Sequence, residues 1–539
     1  MIQNPILPGF HPDPCICRVG DDYYIATSTF EWWPGVRIHH SRDLKHWRLV
    51  GHALDRPSQM DLAGVPDSAG IWAPCLTHAD GVFWLIYTVV RHFRNGFKDA
   101  PNYLVTAERI EGPWSDPVFL NSSGFDPSLF HNRDGRKWLV NQLWNHQPAH
   151  HRFAGIVLQE YDPRRRKLVG PIRNIFRGST LGFTEGPHLY RRGDFYYLLT
   201  AEGGTGVNHA VTLARSRDIE GAYELSPNHP VLTSRDRPHL RLQKAGHASL
   251  VETQGGDWYL VHLCGRWVSD TNRVCILGRE TAIQRVNWTA EGWLELTQGG
   301  NEPHAAIPEP ALPAHPWPAV AARDDFDSEA LDSRFQSLRA PFDPRCGSLT
   351  ERPGWLRLYG RMSPVNLFEQ SVVAQRVAGF QAEASCVMEF APEDFQQMAG
   401  LMAIYDTTKW YYLRVTRLDR RLVVGVTWND NGKYGEGGSD IELPERVPLR
   451  LKGVIDGEGL VFKYAAGTDD WQDIQGVFDA LRLSDEYGQG GFTGAFFAMA
   501  CHDISGRRMP ADFDWFEYRD LESGHGHGST LRVGASPVR

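Results

Sequence analysis

Over the first three hundred residues, short apolar runs alternate with polar turns in one recurring pattern. A polar or special residue is followed by Pro or Ala, a small residue, an aliphatic, a turn, and aromatics that run into a strand. Asp13-Pro14-Cys15-Ile16 leads to Tyr23-Tyr24-Ile25, and Ala73-Pro74-Cys75-Leu76 leads to Phe83-Trp84-Leu85. Asp126-Pro127-Ser128-Leu129 leads to Trp138-Leu139-Val140, Gly186-Pro187-His188-Leu189 to Tyr196-Tyr197-Leu198, and His247-Ala248-Ser249-Leu250 to Trp258-Tyr259-Leu260. The anchors stand 60, 53, 60 and 61 residues apart. Each turn carries its own breaker, such as Gly20-Asp21, Asp80-Gly81 or Gly193-Asp194, and predicts a hairpin. A second unit follows in three of the repeats, as in Ser41-Arg42-Asp43-Leu44, Glu108-Arg109-Ile110 and Ser216-Arg217-Asp218-Ile219.

Several short strands per repeat at this period predict the blades of a propeller. Five repeats predict a five-bladed β-propeller over residues 1–300. Residues 301–320 hold six prolines and predict a stiff linker. From 321 to 520 strands recur without the blade pattern, for example Trp410–Val415 and Leu422–Val426, and predict a β-sandwich. The Gly/His-rich residues 521–539 lack apolar periodicity and predict a disordered tail. The fold class is therefore all-β throughout.

Charge and composition narrow the function. Across 539 residues, 56 Lys and Arg face 65 Asp and Glu, a net charge of −9. That balance excludes nucleic acid and anionic membrane as partners, since both require a basic face. No apolar run approaches the ~20 residues of a membrane span, and the start Met1-Ile2-Gln3-Asn4-Pro5 has no signal-peptide character. The eight Cys, none in a paired two-residue spacing, are then expected to be reduced and buried in a cytoplasmic protein.

In a propeller the inner strand of every blade borders a shared channel, so the anchors should ring one pocket. Asp13, Asp126 and Glu185, from three blades, would converge there. Glu185 is offset by one residue from the other two, and a bulge or the strand's entry is needed to turn it inward. Carboxylates in an aromatic-lined pocket point to glycoside hydrolysis, with one ionised and another kept protonated. A Ca2+ cage is the competing reading. Phe30, Trp32, Trp33, Trp72, Phe125 and Trp144 lie near ring positions and suit stacking on sugar faces, against the alternative of packing between blades. His247 could hold substrate, water, or a divalent ion, or be structural; Arg279 could reach a sugar hydroxyl or a ring carboxylate. Gly203-Gly204-Thr205-Gly206 is not followed by the lysine of a phosphate loop.

Together, Phe10-His11-Pro12-Asp13-Pro14, Ser28-Thr29-Phe30-Glu31-Trp32, Ile71-Trp72-Ala73-Pro74, Gly124-Phe125-Asp126-Pro127-Ser128 and Thr184-Glu185-Gly186-Pro187-His188 resemble glycoside hydrolase family 43. The likeness is closest to its two-domain β-xylosidases, in which a concanavalin-like (lectin-like) sandwich follows the propeller. The resemblance implies an inverting enzyme that removes xylose from the non-reducing end of β-1,4-xylo-oligosaccharides. An α-L-arabinofuranosidase is the nearest alternative, alone or as a side activity, and a non-catalytic carbohydrate-binding protein the more distant one. By position, Asp13 resembles the general base, Glu185 the general acid, and Asp126 the carboxylate that orients the acid and lifts its pKa. Arg279 resembles the arginine that contacts the sugar and that third carboxylate. One of Phe496 and Phe497, with Phe497 the selected candidate, resembles the sandwich phenylalanine that closes the pocket. Cys15 stands where the pattern has Ser. The resemblance implies no required cofactor, leaves a divalent ion such as Ca2+ open at His247 or near Asp325 or Asp514, and leaves a homo-oligomer open.

Overall fold

The computed structural model of the protein describes residues 1–445 and 447–522. The expected disordered tail lies, from residue 523 on, outside the described residues. Leu521 and Glu522 are still attached, through hydrogen bonds to Gln381 and Asp520. Among the described residues, the regular elements are strands apart from one 3-10 turn, Ala480–Arg482. No helix there is long and apolar enough to cross a membrane. The chain forms two compact units.

The first unit is a five-bladed propeller. Blade 1 comprises Cys15–Val19, Asp22–Thr27, Gly35–Ser41 and Arg48–Leu54; blade 2 comprises Gly70–Ala79, Val82–Val90, Asn102–Ala107 and Val118–Asn121. Blade 3 comprises Ser128–His131, Lys137–Trp144, Phe153–Asp162 and Lys167–Phe176. Blade 4 runs Glu185–Arg192, Phe195–Glu202, Ala210–Ser216 and Glu224–Leu225, with Leu232–Thr233 also paired to its third strand. Blade 5 comprises Gln243–Glu252, Trp258–Gly265, Arg279–Trp288 and Leu294–Leu296. First strands of successive blades are neighbours, and that of blade 5 returns to that of blade 1. The predicted hairpin turns join the first two strands of each blade; Asp80 and Gly81 both take positive φ, 57° and 74°, as a tight two-residue turn requires.

Both faces of a blade are covered, which explains central strands as uniformly apolar as Val82–Val90. Trp138, Val140 and Leu158 of blade 3 pack with Leu189, Tyr196 and Leu198 of blade 4. Tyr197 and Leu199 pack with Leu250 and Leu260 of blade 5, and Val251 and Tyr259 with Ile16, Tyr23 and Ile25 of blade 1. The hairpin aromatics therefore serve the seams between blades.

The ring is closed by chain segments from its two ends. Ile2–Gln3 pairs with Ala306–Ile307. The Asn4 side chain donates to the carbonyls of Ile283 and His304 and accepts from the Ile283 amide. Leu7 and Thr281 exchange backbone hydrogen bonds. Beside them the buried Arg266 guanidinium donates to both oxygens of Glu280, at 2.7 and 2.8 Å, and Glu280 also accepts from the Gly9 amide.

The second unit is a sandwich of two antiparallel sheets. One orders Gln336–Leu338, Ser371–Arg376, Phe496–Asp503, Gln397–Asp406, Lys409–Leu418, Arg421–Asp430 and Lys433–Glu442. The other orders Gly347–Ser348, Leu356–Tyr359, Pro510–Asp520, Gln381–Phe390, Leu449–Asp456, Gly459–Ala466 and Gln472–Asp473. Leu401, Leu413 and Met499 meet Ala384, Leu451 and Phe516 in its core.

The expected boundaries need correction. The first unit extends to Trp317, so most of the proline-rich 301–320 segment belongs to it, and Ile307 is buried. Residues 61–68 and 267–278, expected within the propeller, belong to the second unit. Arg339 and Thr407 both bind Asp67, and Ala495 donates its amide to Ile276. Proline content marks backbone stiffness, not independence from the neighbouring core.

Arg266→Met should strand the Glu280 carboxylate in the interior. We expect a loss of about 3–5 kcal/mol in stability, read from urea unfolding. A loss below about 1 kcal/mol, the level of an exposed pair, would show that this buried pair carries no such weight.

Candidate active site

Four of the five repeat anchors have left-handed backbone: Asp13 (φ 53°), Asp126 (53°), Gly186 (56°) and His247 (44°). The chain is kinked where the inner strands of blades 1, 3 and 4 begin and within that of blade 5, and that kink directs the anchor's neighbourhood into the channel. A left-handed non-glycine residue costs about 1–3 kcal/mol, and such strain collects at functional sites. In blade 4 the anchor must be glycine. A Cβ on Gly186 would lie 3.1 Å from the His247 ring. The one-residue offset of Glu185 is resolved here, because the pairing register shifts between Glu185 and His188. Glu202 braces this turn from below, accepting from the Ser179 amide and the Thr184 hydroxyl at 2.9 Å each.

Asp13 is buried, with Ser28 Oγ donating to its Oδ2 at 2.7 Å and Arg279 Nη1 donating to its Oδ1 at 3.1 Å. His247 Nδ1 lies 3.7 Å from the same Oδ1. Burial works against the charge, but Arg279, His247 and Ser28 outweigh it and hold the carboxyl below its ordinary range. Asp13 is therefore a stable carboxylate.

Asp126 and Glu185 are held the other way. Burial, then repulsion from Glu185 and Asp13, pushes Asp126 well above the carboxylate range, although the Gly186 amide donates to its Oδ2 at 3.1 Å. Burial pushes Glu185 up to about 7; Asp13 adds to the push, while Lys98 and Arg279 draw it back. The two acids titrate as a pair that keeps a proton near neutral pH.

The candidate aromatics adjoin one another. Phe30 and Trp72 have ring centroids 6.0 Å apart, Trp72 and Phe125 5.5 Å, and Phe125 and Trp144 6.0 Å. Trp32 and Trp33, like Phe30, Trp72 and Phe125, are buried. Sequence reasoning missed Lys98. Its ammonium lies 4.4 Å from the Phe125 ring centroid, 4.5 Å from Trp144 and 4.7 Å from Trp72. Burial lowers its pKa, while Glu185 and Asp126 raise it. The loop carrying it is fixed by Trp144 Nε1, which donates to the Gly96 carbonyl at 2.9 Å. In the sequence Phe97-Lys98-Asp99 carries no signal beyond that of a charged surface turn.

One carried-over expectation changes and one gains a partner. Arg279 makes an ion pair with Asp13, beyond the partners the resemblance implies. Phe497 is not a pocket residue: its ring lies in the sandwich interior, where a Cβ on Gly453 would meet it at 2.6 Å. Strand alternation turns Phe496 to the other face, with the Arg376 guanidinium 5.5 Å from its ring. Beside His247, the Arg279 guanidinium supplies a cation on the Asp13 oxygen that His247 faces. Asp325 is paired with Arg323 at 2.5 Å, and the same arginine's guanidinium lies over Trp515 beside Asp514.

One firm carboxylate, a proton-sharing acid pair and an aromatic wall in a propeller channel define a glycoside hydrolase. Residues 2–294 match the family described as Glycosyl hydrolases family 43, and residues 323–519 the Beta xylosidase C-terminal Concanavalin A-like domain. The chain belongs to glycoside hydrolase family 43. It is 49% identical over 542 residues to the xylosidase/arabinosidase 43B of Humicola insolens, covering 97% of this chain and 98% of that one. Identity to the beta-xylosidase of Bacillus subtilis (strain 168) is 47%, over 96% of this chain and 99% of that one. A crystal structure of the xylan beta-1,4-xylosidase from Bacillus halodurans C-125 aligns with a TM-score of 0.95 at 54% identity, covering 96% and 100% of the two chains.

The alkaline limb of kcat/KM should fall near the Glu185 value of about 7. In Lys98→Met that limb should move upward, because the cation that draws the Glu185 pKa down is gone. A limb that stays put or moves down would show that Lys98 does not act on Glu185.

Proposed function

We propose that the protein is an inverting, exo-acting β-xylosidase that releases xylose from the non-reducing end of β-1,4-xylo-oligosaccharides. The observation that carries this reading is the arrangement of the three carboxyls: Ser28 and Arg279 donate to Asp13 and favour its ionised form, while Glu185, buried beside Asp126, is pushed up to about 7. In the reaction Asp13 accepts a proton from water as its oxygen attacks the anomeric carbon. Glu185 gives its proton to the departing glycosidic oxygen. Asp126 holds the Gly186 amide and repels negative charge on Glu185, which keeps the acid protonated. Arg279 fixes the Asp13 carboxylate, and Phe30, Trp72, Phe125 and Trp144 offer ring faces to the sugar. The hydrolysis requires no cofactor.

Relatives support the substrate class. The Bacillus subtilis protein is named a beta-xylosidase, and the Humicola insolens protein carries both xylosidase and arabinosidase in its name. An α-L-arabinofuranosidase side activity of the same pocket belongs to this proposal. A protein that only bound sugar would have no use for the proton shared by Asp126 and Glu185.

Proton NMR of a xylobiose digest, followed from the first minutes, tests the mechanism. α-Xylose should appear first and then mutarotate; early β-xylose would replace the base-and-water mechanism with a covalent intermediate. Asp13→Asn, which tolerates left-handed backbone, should fold normally and lose about 10²–10⁴-fold in turnover. Retained turnover would remove Asp13 from the base role.

A further inference from the structure

We propose that Cys15, Cys75 and His188 form a binding site for a thiophilic d10 cation, with Zn2+ as its test ion, and that occupancy inhibits the enzyme. The inhibition rests on the roles just proposed for Asp13 and Glu185; the binding does not.

The three residues come from the inner strands of blades 1, 2 and 4. All are buried, and their ligand atoms lie within 4.8 Å of one another. The Cys75 Sγ to His188 Nδ1 distance is 3.9 Å. Zinc–sulfur and zinc–nitrogen bonds of about 2.3 and 2.0 Å in a tetrahedron place such ligand atoms roughly 3.5–3.8 Å apart. The Cys75–His188 edge is thus close to its liganded length, and the edges to Cys15 need to contract by at most about 1.3 Å.

The surroundings of Cys15 suit a thiolate ligand, while the Cys75 thiol, held protonated by its contact with Cys15 and by burial, loses its proton only on binding. The Leu76 amide donates to Cys15 Sγ at 3.3 Å, and Ser249 Oγ lies 3.9 Å away. Burial keeps the His188 imidazole neutral, the form that ligates. On binding, each thiol releases its proton to solvent, and two thiolates balance the charge of Zn2+ in the interior. Three protein ligands leave the fourth position to water. Two sulfurs and one imidazole favour a borderline-soft ion over Ca2+ or Mg2+, which take oxygen ligands.

The position gives binding its consequence. Cys15 follows Asp13 by two residues, and His188 follows Glu185 by three, on the same strands. Drawing the three ligands together pulls on the two kinks that aim the acid and the base. Misplacement approaching 1 Å in reacting groups can cost on the order of 100-fold in rate.

The test uses the full-length enzyme after chelator treatment, titrated with Co2+ and then Zn2+. Co2+ should produce a sulfur-to-cobalt charge-transfer band in the near ultraviolet that saturates at one equivalent and is displaced by Zn2+. Histidine-only surface sites give no such band. Zn2+ should lower turnover roughly tenfold or more as it displaces the cobalt. Cys75→Ser should keep basal turnover and lose both the band and the inhibition. Cys15→Ser, which keeps a hydroxyl near Leu76 and Ser249, carries the same test should Cys75→Ser fail to fold. Absence of the band, or a band unchanged in the folded variant, overturns the site. A band without inhibition overturns the coupling to Asp13 and Glu185 while leaving the site standing. A wild-type enzyme that binds the metals but hydrolyses no xyloside would overturn the proposed function alone.

Discussion

Charge neutrality in a buried channel governs this active centre. Three carboxyls, Asp13, Asp126 and Glu185, meet two permanent or near-permanent cations, Arg279 and Lys98. Burial draws His247, His188 and His209 toward their neutral forms, and His247 lends Asp13 positive charge only in the fraction that stays protonated. Three anions against two cations would leave a net buried charge, which is costly. The cheapest correction is one retained proton. Arg279 is committed to Asp13, so the proton stays on the Asp126–Glu185 pair, where glycoside cleavage needs an acid. The catalytic division of labour therefore follows from counting charges in a confined space.

Backbone geometry makes that confinement reachable from sequence. The repeat pattern was legible because four of the five blades kink the inner strand at the same repeat position, and residues that tolerate the kink recur there. Asp13, Asp126, Gly186 and His247 are these kinks, and their left-handed φ values are the physical content of the motif. The hairpin breakers and seam aromatics were legible for the same reason, since each blade repeats one packing problem. Glu185 looked misaligned because sequence spacing cannot show a register shift, and the bulge before His188 supplies it.

What was not legible depends on contacts between residues far apart in the chain. Lys98 sits in a loop of ordinary charged composition, and only the closed ring brings it to Trp72, Phe125 and Trp144. Arg279 was visible as a candidate, but its choice of Asp13 is decided by the strand entry after Gly278. Phe496 and Phe497 differ by one step of strand alternation, which local sequence leaves undecided. Residues 61–68 and 267–278 follow propeller numbering yet belong to the sandwich unit. Their membership is set by partners such as Arg339 and Ala495, hundreds of residues downstream.

The strand of Ile2–Gln3 finds its partner only at Ala306–Ile307. During synthesis at ~5–20 residues per second, that strand leaves the ribosome roughly 15–60 s before the segment that closes the ring. Until then blade 1 lacks its seam with blade 5, and Ile16, Tyr23 and Ile25 have no Tyr259 or Val261 to cover them. Blades can pair internally as they emerge, but the ring closes late and all at once. A ribosome that pauses before residue 307 therefore holds an open arc with apolar faces at both ends, the state in which this chain is most exposed to aggregation.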